Sequence, residues 1–197
     1  DDDELLSRFN IPRPLWPRLR WSWNNRRHQL VTGRFDFAMS ERGLKLYEYN
    51  ADSAACHLEC GRIQGRWAEH FGCRRGRDAG ADLFDRLATA WHGVPATGPI
   101  HLMLDEDPEE LYHTLFMRSA LEAAGWECRL LRGLADLGWD ENGRVVDRDG
   151  VVVQRVWKTW AWETALDQLR AELEGEPQAA RLSGGRARAP RLVDVLL

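Results

Sequence analysis

The chain has almost no lysine, and this scarcity limits the kind of site that it can hold. Of its 27 basic residues, only Lys45 and Lys158 are lysine, so arginine carries nearly all of the positive charge. Proteins that bind a nucleoside triphosphate commonly place lysine on phosphate, often beside a glycine-rich P-loop, and no such loop occurs in the sequence. If the protein uses a nucleotide, we expect most of the nucleotide site to lie outside these 197 residues.

The sequence also lacks the features of secreted, membrane-spanning and nucleic-acid-binding proteins. There is no apolar run of about 18 residues, and the acidic residues 1–4 are unlike a signal peptide. Four cysteines are too few for a disulfide scaffold, which favours a reducing cytoplasm. The net charge of −4 argues against a nucleic-acid partner. We therefore expect a cytoplasmic protein.

Both ends of the sequence predict that it belongs to a longer protein. The first residue is not methionine, and the apolar segment 191–197 has no polar tail after it. The chain is nevertheless long enough to bury a core of its own.

Hydrophobic periodicity predicts a layered α/β fold with a mixed sheet and flanking helices. Strands are predicted at 34–39, 44–50, 100–104, 127–132 and 153–158, helices at 12–31, 57–70, 81–93, 108–124 and 161–173, a small β-ribbon near 144–153 and a mobile loop at 174–190. The strand–helix–strand order over 100–132 is typical of an α/β unit. The first two strands, separated by four residues that end in glycine, form a hairpin.

The hairpin carries the sharpest chemical signal, because polar residues alternate along both of its strands. Arg34 and Asp36 share one face of the first strand, and Glu48 and Asn50 share one face of the second. If Asp36 lies opposite Glu48, two carboxylates meet, an unfavourable pairing that a cation would relieve. These oxygen ligands suit Mg²⁺, and the guanidinium of Arg34 suits a phosphoryl group or a carboxylate.

The other face of the hairpin is aromatic, and the hairpin has a second interpretation. Phe35, Phe37, Tyr47 and Tyr49 are predicted to be buried against helices. On spacing alone, the favoured interpretation of the polar face is a solvent-facing strand pair with mixed charges and one salt bridge, because such pairs are common on antiparallel sheets.

Longer stretches of the sequence resemble the glutathionylspermidine synthetase family, in particular its bifunctional bacterial synthetase/amidases. The resemblance begins with GRFDF at 33–37 and YEYNADSAACH at 47–57, and continues through 66–69, 109–113, 132–134 and 138–140. It includes the very specific WKTWAWET at 157–164 and ends with 191–197, so that it covers nearly the whole chain.

The resemblance implies a partial ATP-grasp-type fold, with residues 1–197 as the N-terminal portion of the synthetase domain. The amidase domain and the ATP-binding lobe would then lie outside the chain. The implied reaction is an ATP- and Mg²⁺-dependent ligation that joins the glycine carboxylate of glutathione to spermidine through an acyl phosphate. A homodimer is implied as well, and the chain alone is expected to be nearly inactive.

The resemblance also assigns roles to nine residues. They are Arg34 for catalysis and for contacts with ATP and glutathione; Phe35 and Asp36 for ATP; Asp36, Glu48 and Asn50 for magnesium; Ser53, Glu110 and Thr164 for glutathione; and Glu109 for spermidine. The family often has serine where this chain has Ala55, which would weaken one glutathione contact. Cys56 is expected to lie beside the glutathione pocket.

Several of these residues also have plainer interpretations. Glu109 and Glu110 match the dipole at a helix N-terminus, and Thr164 suits the start of a helix. Lys158, Trp160 and Trp162 are expected to pack and position, and His57, His101 and His113 are expected to be structural. The cysteines and histidine Cys56, Cys60, His70 and Cys73 allow a zinc site, although their spacing is not a close match to structural zinc motifs.

Two rival functions stay open at the level of sequence. One is a non-catalytic module that binds glutathione or a polyamine without joining them. The other is a ligase of the same chemistry that acts on a different amine.

Overall fold

The computed structural model describes residues 2–25, 32–51, 55–95, 97–104, 107–174 and 190. The helices are α1 (Asp3–Arg8), α2 (Trp16–Asn24), α3 (Gln64–His70), α4 (Leu83–His92), α5 (Pro108–Ala123) and α6 (Trp162–Glu174). The strands are β1 (Gly33–Ser40), β2 (Gly43–Ala51), β3 (Ile100–Leu104), β4 (Cys128–Arg132), β5 (Gly138–Trp139), β6 (Val145–Val146) and β7 (Val156–Lys158). The chain divides into two units, one of residues 30–130 and 155–159, and the other of 1–29, 131–154 and 160–197.

The first unit is built around a three-stranded sheet in the order β4-β3-β7. β3 and β7 are parallel, with His101 opposite Val156, and every residue of β3 is buried. The apolar residues at the centre come mainly from β3 and α5, and Leu102, Met117 and Leu121 are among the fully buried ones. A parallel pair whose central strand is buried throughout and apolar except for His101 is the arrangement that α/β folds favour, and it confirms the predicted fold class.

Helix α5 begins and ends where the sequence predicts. Asp107 caps it, since its Oδ1 accepts a hydrogen bond of 2.9 Å from the backbone N–H of Glu109, and Pro108 occupies the first turn, where its missing N–H costs nothing. The helix stops before Gly125, whose φ of 89° is one that residues with side chains rarely adopt.

A π-helical turn, Glu59–Ile63, leads into α3 and lies against α5. The close approach needs Gly61, because a Cβ there would lie 2.8 Å from the ring of Phe116 on α5. The helix predicted over 57–70 is therefore present, but it is wound more loosely at its start. A π-turn inserts one residue into a helix and is often found at functional sites.

The second unit has a smaller core, formed where Leu15 meets Ala165 and Leu169 of α6. The predicted turn at Asp140 is also in this unit. The Asp140 carboxylate accepts hydrogen bonds from the backbone N–H groups of Asn142 and Arg144, at 2.9 and 2.7 Å, and this fixes the link between β5 and β6. Backbone hydrogen bonds of this kind lower the pKa of Asp140.

One predicted helix differs from the structure, one helix was not predicted, and one predicted loop lies almost wholly outside the described residues. The helix predicted at 12–31 is a 3₁₀ turn, Arg13–Leu15, followed by α2, which ends at Asn24, and residues 26–31 lie outside the described residues. Helix α1 was not predicted; its N-cap is Asp2, whose Oδ1 accepts from the backbone N–H groups of Glu4 and Leu5. Apart from residues 174 and 190, the loop predicted at 174–190 is also outside the described residues. None of the described helices combines the length and the apolar character that a membrane crossing needs.

Candidate functional site

Strands β1 and β2 form a two-stranded antiparallel ribbon that brings four of the predicted site residues together. Asp36 lies opposite Glu48 and Arg34 lies opposite Asn50, so the predicted pairing of the two carboxylates is confirmed. The register shifts between Asp36 and Phe37, where a β-bulge increases the local twist. The four polar side chains therefore share one face at the end of the ribbon that is away from its turn.

Hydrogen bonds join these four side chains into one cluster. Arg34 donates from Nε to Oδ1 of Asp36 at 2.9 Å and from Nη2 to Oδ2 at 3.4 Å. The Asn50 side chain donates to Oε1 of Glu48 at 2.9 Å and to Oδ2 of Asp36 at 3.4 Å. A single amide thus bridges the two carboxylates, which would otherwise repel each other across the ribbon.

The charges within the cluster keep Asp36 in its carboxylate form. The hydrogen bond from Arg34 is the main cause of a lowered pKa for Asp36, with smaller contributions from the charge of Arg34 and from Glu48 and Asn50. Asp36 in turn raises the pKa of Arg34, so that the guanidinium stays charged. A carboxylate that keeps its charge is the form that can bind a cation.

The cluster suits a hard divalent cation. Asp36 and Glu48 offer carboxylate oxygens on directly opposed residues, and Asn50 already contacts both. The amide of Asn50 donates to them here, and turning it over would present its oxygen beside theirs. Three oxygen donors and partial exposure match Mg²⁺, which takes a few protein oxygens and completes its shell with water and phosphate.

Cys56 lies next to this cluster, and its expected position beside a glutathione pocket stays a prediction. Its Sγ accepts a hydrogen bond of 3.5 Å from Nη1 of Arg34. Its backbone φ is 68°, an unusual value for a residue other than glycine, asparagine or aspartate. Arg34 is therefore held between a carboxylate on its own strand and a thiol at the start of the next segment.

The predicted burial of the aromatic face of the ribbon is wrong. Phe35 and Tyr49 stack with ring centroids 4.4 Å apart, but Phe35 is 54% exposed and Tyr47 is 76% exposed. Arg34 and Asp36 on the opposite face are the half-buried ones. The alternation of side chains was predicted correctly, but which face is covered depends on packing between elements, which a local pattern does not contain.

The two glutamates at the start of α5 differ in environment. The side chain of Glu109 is 77% exposed. Glu110 is half-buried, and its Oε2 is buried without a hydrogen-bond partner. A buried carboxylate oxygen that lacks a donor is costly, and a ligand ammonium group would satisfy it.

The remaining predicted residues are Phe35, Thr164 and Ser53. Phe35 lies on the aromatic face of the ribbon. Thr164 is exposed in the first turn of α6 and belongs to the second unit. Ser53 lies outside the described residues.

The zinc site suggested by the cysteines is not formed. Among the residues that the structure describes, the donor atoms of Cys56, Cys60, His70 and Cys73 do not converge. The one described group that does is Glu59, Glu109 and His113. From the sequence, His113 was expected to be structural, and Glu59 was not among the candidate residues. The four-residue spacing of Glu109 and His113 already indicates that they lie on one face of a helix. No local pattern indicates Glu59, because it comes from a distant segment of the chain.

Comparisons with known proteins identify the family of the chain. A family model described as "Glutathionylspermidine synthase preATP-grasp" matches residues 1–182. The chain is 52% identical over 197 residues to the bifunctional glutathionylspermidine synthetase/amidase of Escherichia coli (strain K12), covering 100% of the chain and 32% of that protein. It is 42% identical over 202 residues to the trypanothione synthetase of Crithidia fasciculata, covering 100% of the chain and 30% of that protein.

A glutathionylspermidine synthase of Crithidia fasciculata is 31% identical over 210 residues, which cover 96% of the chain and 28% of that protein. The chain thus spans about a third of the length of these relatives. The family model, by contrast, leaves only the last residues of the chain unmatched. The chain belongs to the glutathionylspermidine synthase family, as its pre-ATP-grasp portion.

Proposed function

We propose that the chain forms the magnesium and substrate side of an ATP-dependent ligase that joins the glycine carboxylate of glutathione to an amine of spermidine. The observation that carries the proposal is the cluster of Arg34, Asp36, Glu48 and Asn50 on one face of the ribbon. Amide formation from a carboxylate requires activation of that carboxylate. ATP with Mg²⁺, when bound, supplies the phosphoryl group for this activation.

The ribbon residues would act by holding charge in fixed positions. Asp36, Glu48 and Asn50 would bind the cation through oxygen, as their contacts with one another favour. Arg34 would stabilise the transferring phosphoryl group and contact glutathione through its planar fork. The hydrogen bonds of Arg34 to Asp36 hold that fork in place before substrates arrive.

The glutamates of α5 would bind the amine groups of the two substrates. Glu110 has a buried oxygen without a donor, which suits the ammonium group of glutathione. Glu109 is exposed, which suits one end of a flexible polyamine. Ser53 and Thr164 would add contacts to glutathione. We infer that the ATP-binding lobe lies in the rest of the protein, and that the chain alone has almost no turnover.

The test is the release of ADP by the full-length protein, with glutathione and spermidine omitted in turn. The variants are Asp36→Asn and Glu48→Gln, which keep the shape of each side chain but remove its charge. Glu41→Gln is the matched control, because Glu41 is an exposed acidic residue in the turn of the same hairpin. We expect ADP release that needs both substrates, falls by roughly two orders of magnitude or more in the two site variants, and is unchanged in the control.

Other results would decide between the alternatives. A folded protein that binds spermidine but neither binds magnesium–nucleotide nor releases ADP would be a binding module. ADP release that needs glutathione but proceeds with amines other than spermidine would place the protein among ligases with a different acceptor. Full activity in both site variants would remove the hairpin from the active site.

A further inference from the structure

A second cluster of ionisable side chains, two glutamates and a histidine, lies where helix α5 meets the π-turn. Glu109 and His113 are four residues apart on α5 and therefore on one face of the helix. Glu59, the first residue of the π-turn, reaches the same place from another part of the chain. One nitrogen of His113 and one oxygen of each glutamate lie within 4.8 Å of one another.

His113 is the most buried residue of the three, and its ring nitrogen Nδ1 lacks a hydrogen-bond partner. Its side chain is only 6% exposed, and its buried Nδ1 accepts and donates no hydrogen bond. Nδ1 lies 4.0 Å from a carboxylate oxygen of Glu59, and Nε2 lies 3.9 Å from one of Glu109. These distances exceed a hydrogen bond. A buried imidazole nitrogen without a partner is costly. The unpartnered Nδ1 faces Glu59, and the other nitrogen of the same ring faces Glu109.

The donor set differs in kind from that of the hairpin. The hairpin offers oxygen alone, which suits magnesium, whereas imidazole nitrogen with carboxylate oxygen suits zinc and other divalent transition metals. Ligands of a tetrahedral zinc ion are about 3.3 Å apart, so the donors here need to close by roughly 1.5 Å or less. The two glutamates can make that movement because their side chains are exposed, at 49% and 77%.

The local packing holds the two segments at this separation. Gly61 lets the π-turn approach α5, since any side chain at that position would meet the ring of Phe116. Phe116 is itself 2% exposed and therefore cannot easily give way. The backbone thus fixes Glu59 opposite His113, while the ends of the glutamate side chains stay free to adjust.

We propose that Glu59, Glu109 and His113 form a binding site for a divalent transition-metal ion of the zinc type, separate from the magnesium site of the hairpin. Three protein ligands leave a fourth position for water. Because Glu109 is also the residue proposed to bind spermidine, the metal and the polyamine should compete. The competition between metal and spermidine rests on the proposed function, whereas the metal site does not.

The metal site is tested on the 197-residue chain, stripped with a chelator, without nucleotide, glutathione or spermidine. Zn²⁺ binding is measured by equilibrium dialysis, and Co²⁺ is used as a spectroscopic probe. The probe matters because the four cysteines are free, and cobalt bound by thiolate absorbs differently from cobalt bound by nitrogen and oxygen. The variants are Glu59→Gln and His113→Gln, and the control is Glu69→Gln, an exposed glutamate on α3.

We expect one ion per chain, cobalt spectra without thiolate bands, and a loss of affinity of roughly tenfold or more in each site variant but not in the control. Circular dichroism checks that His113→Gln is folded, and Glu59→Gln provides an independent result because the exposed Glu59 contributes no core packing. Equal Zn²⁺ affinity in the wild type and Glu59→Gln, or thiolate bands in the wild type, would overturn the metal site.

The competition is measured separately, by titrating spermidine with and without Zn²⁺. We expect Zn²⁺ to weaken spermidine binding in the wild type and to have little effect in Glu59→Gln. If the chain binds Zn²⁺ as predicted but never binds spermidine, the proposed function fails and the metal site stands. If spermidine binds with the same affinity whether or not Zn²⁺ fills the site, the competition is refuted.

Discussion

Gly80 is buried against the backbone of the π-turn, and its replacement by alanine should be strongly destabilising. A Cβ on Gly80 would lie 1.8 Å from the carbonyl oxygen of Cys60 and 2.5 Å from its carbonyl carbon. Real Cβ contacts are never this short, and both atoms belong to the main chain, so no side-chain rotation can relieve them. Gly80 also accepts a hydrogen bond from the N–H of Leu83 at the start of α4, which resists its movement.

The expected loss can be bounded from general experience with overpacked interiors. Added methylene groups in packed regions cost about 1–3 kcal/mol, and a clash between two backbone segments belongs at the upper end of that range. We therefore expect Gly80→Ala to lower the free energy of unfolding by about 3 kcal/mol. The measurement is urea unfolding followed by tryptophan fluorescence, with the midpoint and slope compared between variants.

Gly93→Ala is the matched control, because Gly93 caps the other end of α4 with φ of −75° and has only ordinary van der Waals space around it. Alanine there should leave stability unchanged or raise it by roughly 0.4–1 kcal/mol. A loss below about 1 kcal/mol in Gly80→Ala would show that the π-turn shifts easily, and would weaken the argument that the backbone fixes Glu59.

Three further predictions concern side chains. Arg34→Lys removes the forked contact with Asp36, so a carbon-13 titration of the Asp36 carboxyl should show its pKa rise towards the ordinary value, and an unchanged pKa would contradict the assigned cause. In the wild type the pKa of Asp36 is lower in the folded state than in the unfolded state. The stabilisation from this contact is therefore present above the unfolded pKa and is lost as the pH falls through the folded pKa. Burial raises the pKa of the Cys128 thiol to about 11, so near pH 8 iodoacetamide should label the exposed Cys73 much faster than Cys128. Mass spectrometry measures both labelling rates, and equal rates would refute this prediction. Leu169→Ala should cost about 2–5 kcal/mol in urea unfolding, because Leu169 is fully buried in the smaller core; a near-neutral result would mean that this core contributes little.

Sequence reasoning succeeded where the controlling forces are local. The strand period predicted which side chains share a face, so that Arg34 lies with Asp36 and Glu48 with Asn50, whereas the pairing of Asp36 with Glu48 also depends on the register shift between Asp36 and Phe37. The limits of α5 follow from Asp107, Pro108 and Gly125, each of which acts within one turn of its own position. The tryptophan-rich segment, being highly specific, led to the family.

Sequence reasoning failed where contacts join distant segments. The exposure of Phe35 and Tyr47 depends on which elements cover the ribbon, and the alternation of the strand carries no information about that. Glu59 reaches His113 only because a π-turn replaces a regular helical turn and Gly61 admits Phe116. The roles of Ser53 and Thr164 stay predictions.

The two-stranded ribbon has a consequence for how the hairpin cluster behaves in solution. Among the residues that the structure describes, β1 and β2 pair with each other and with no other strand, so each presents one edge of backbone N–H and C=O groups without a neighbouring strand. Two strands alone are marginally stable in water, and their amide protons should exchange with solvent faster than those of the buried β3. The four residues of the hairpin cluster thus lie on a ribbon that few other elements stabilise. A bound ligand would therefore also order the two strands that hold it.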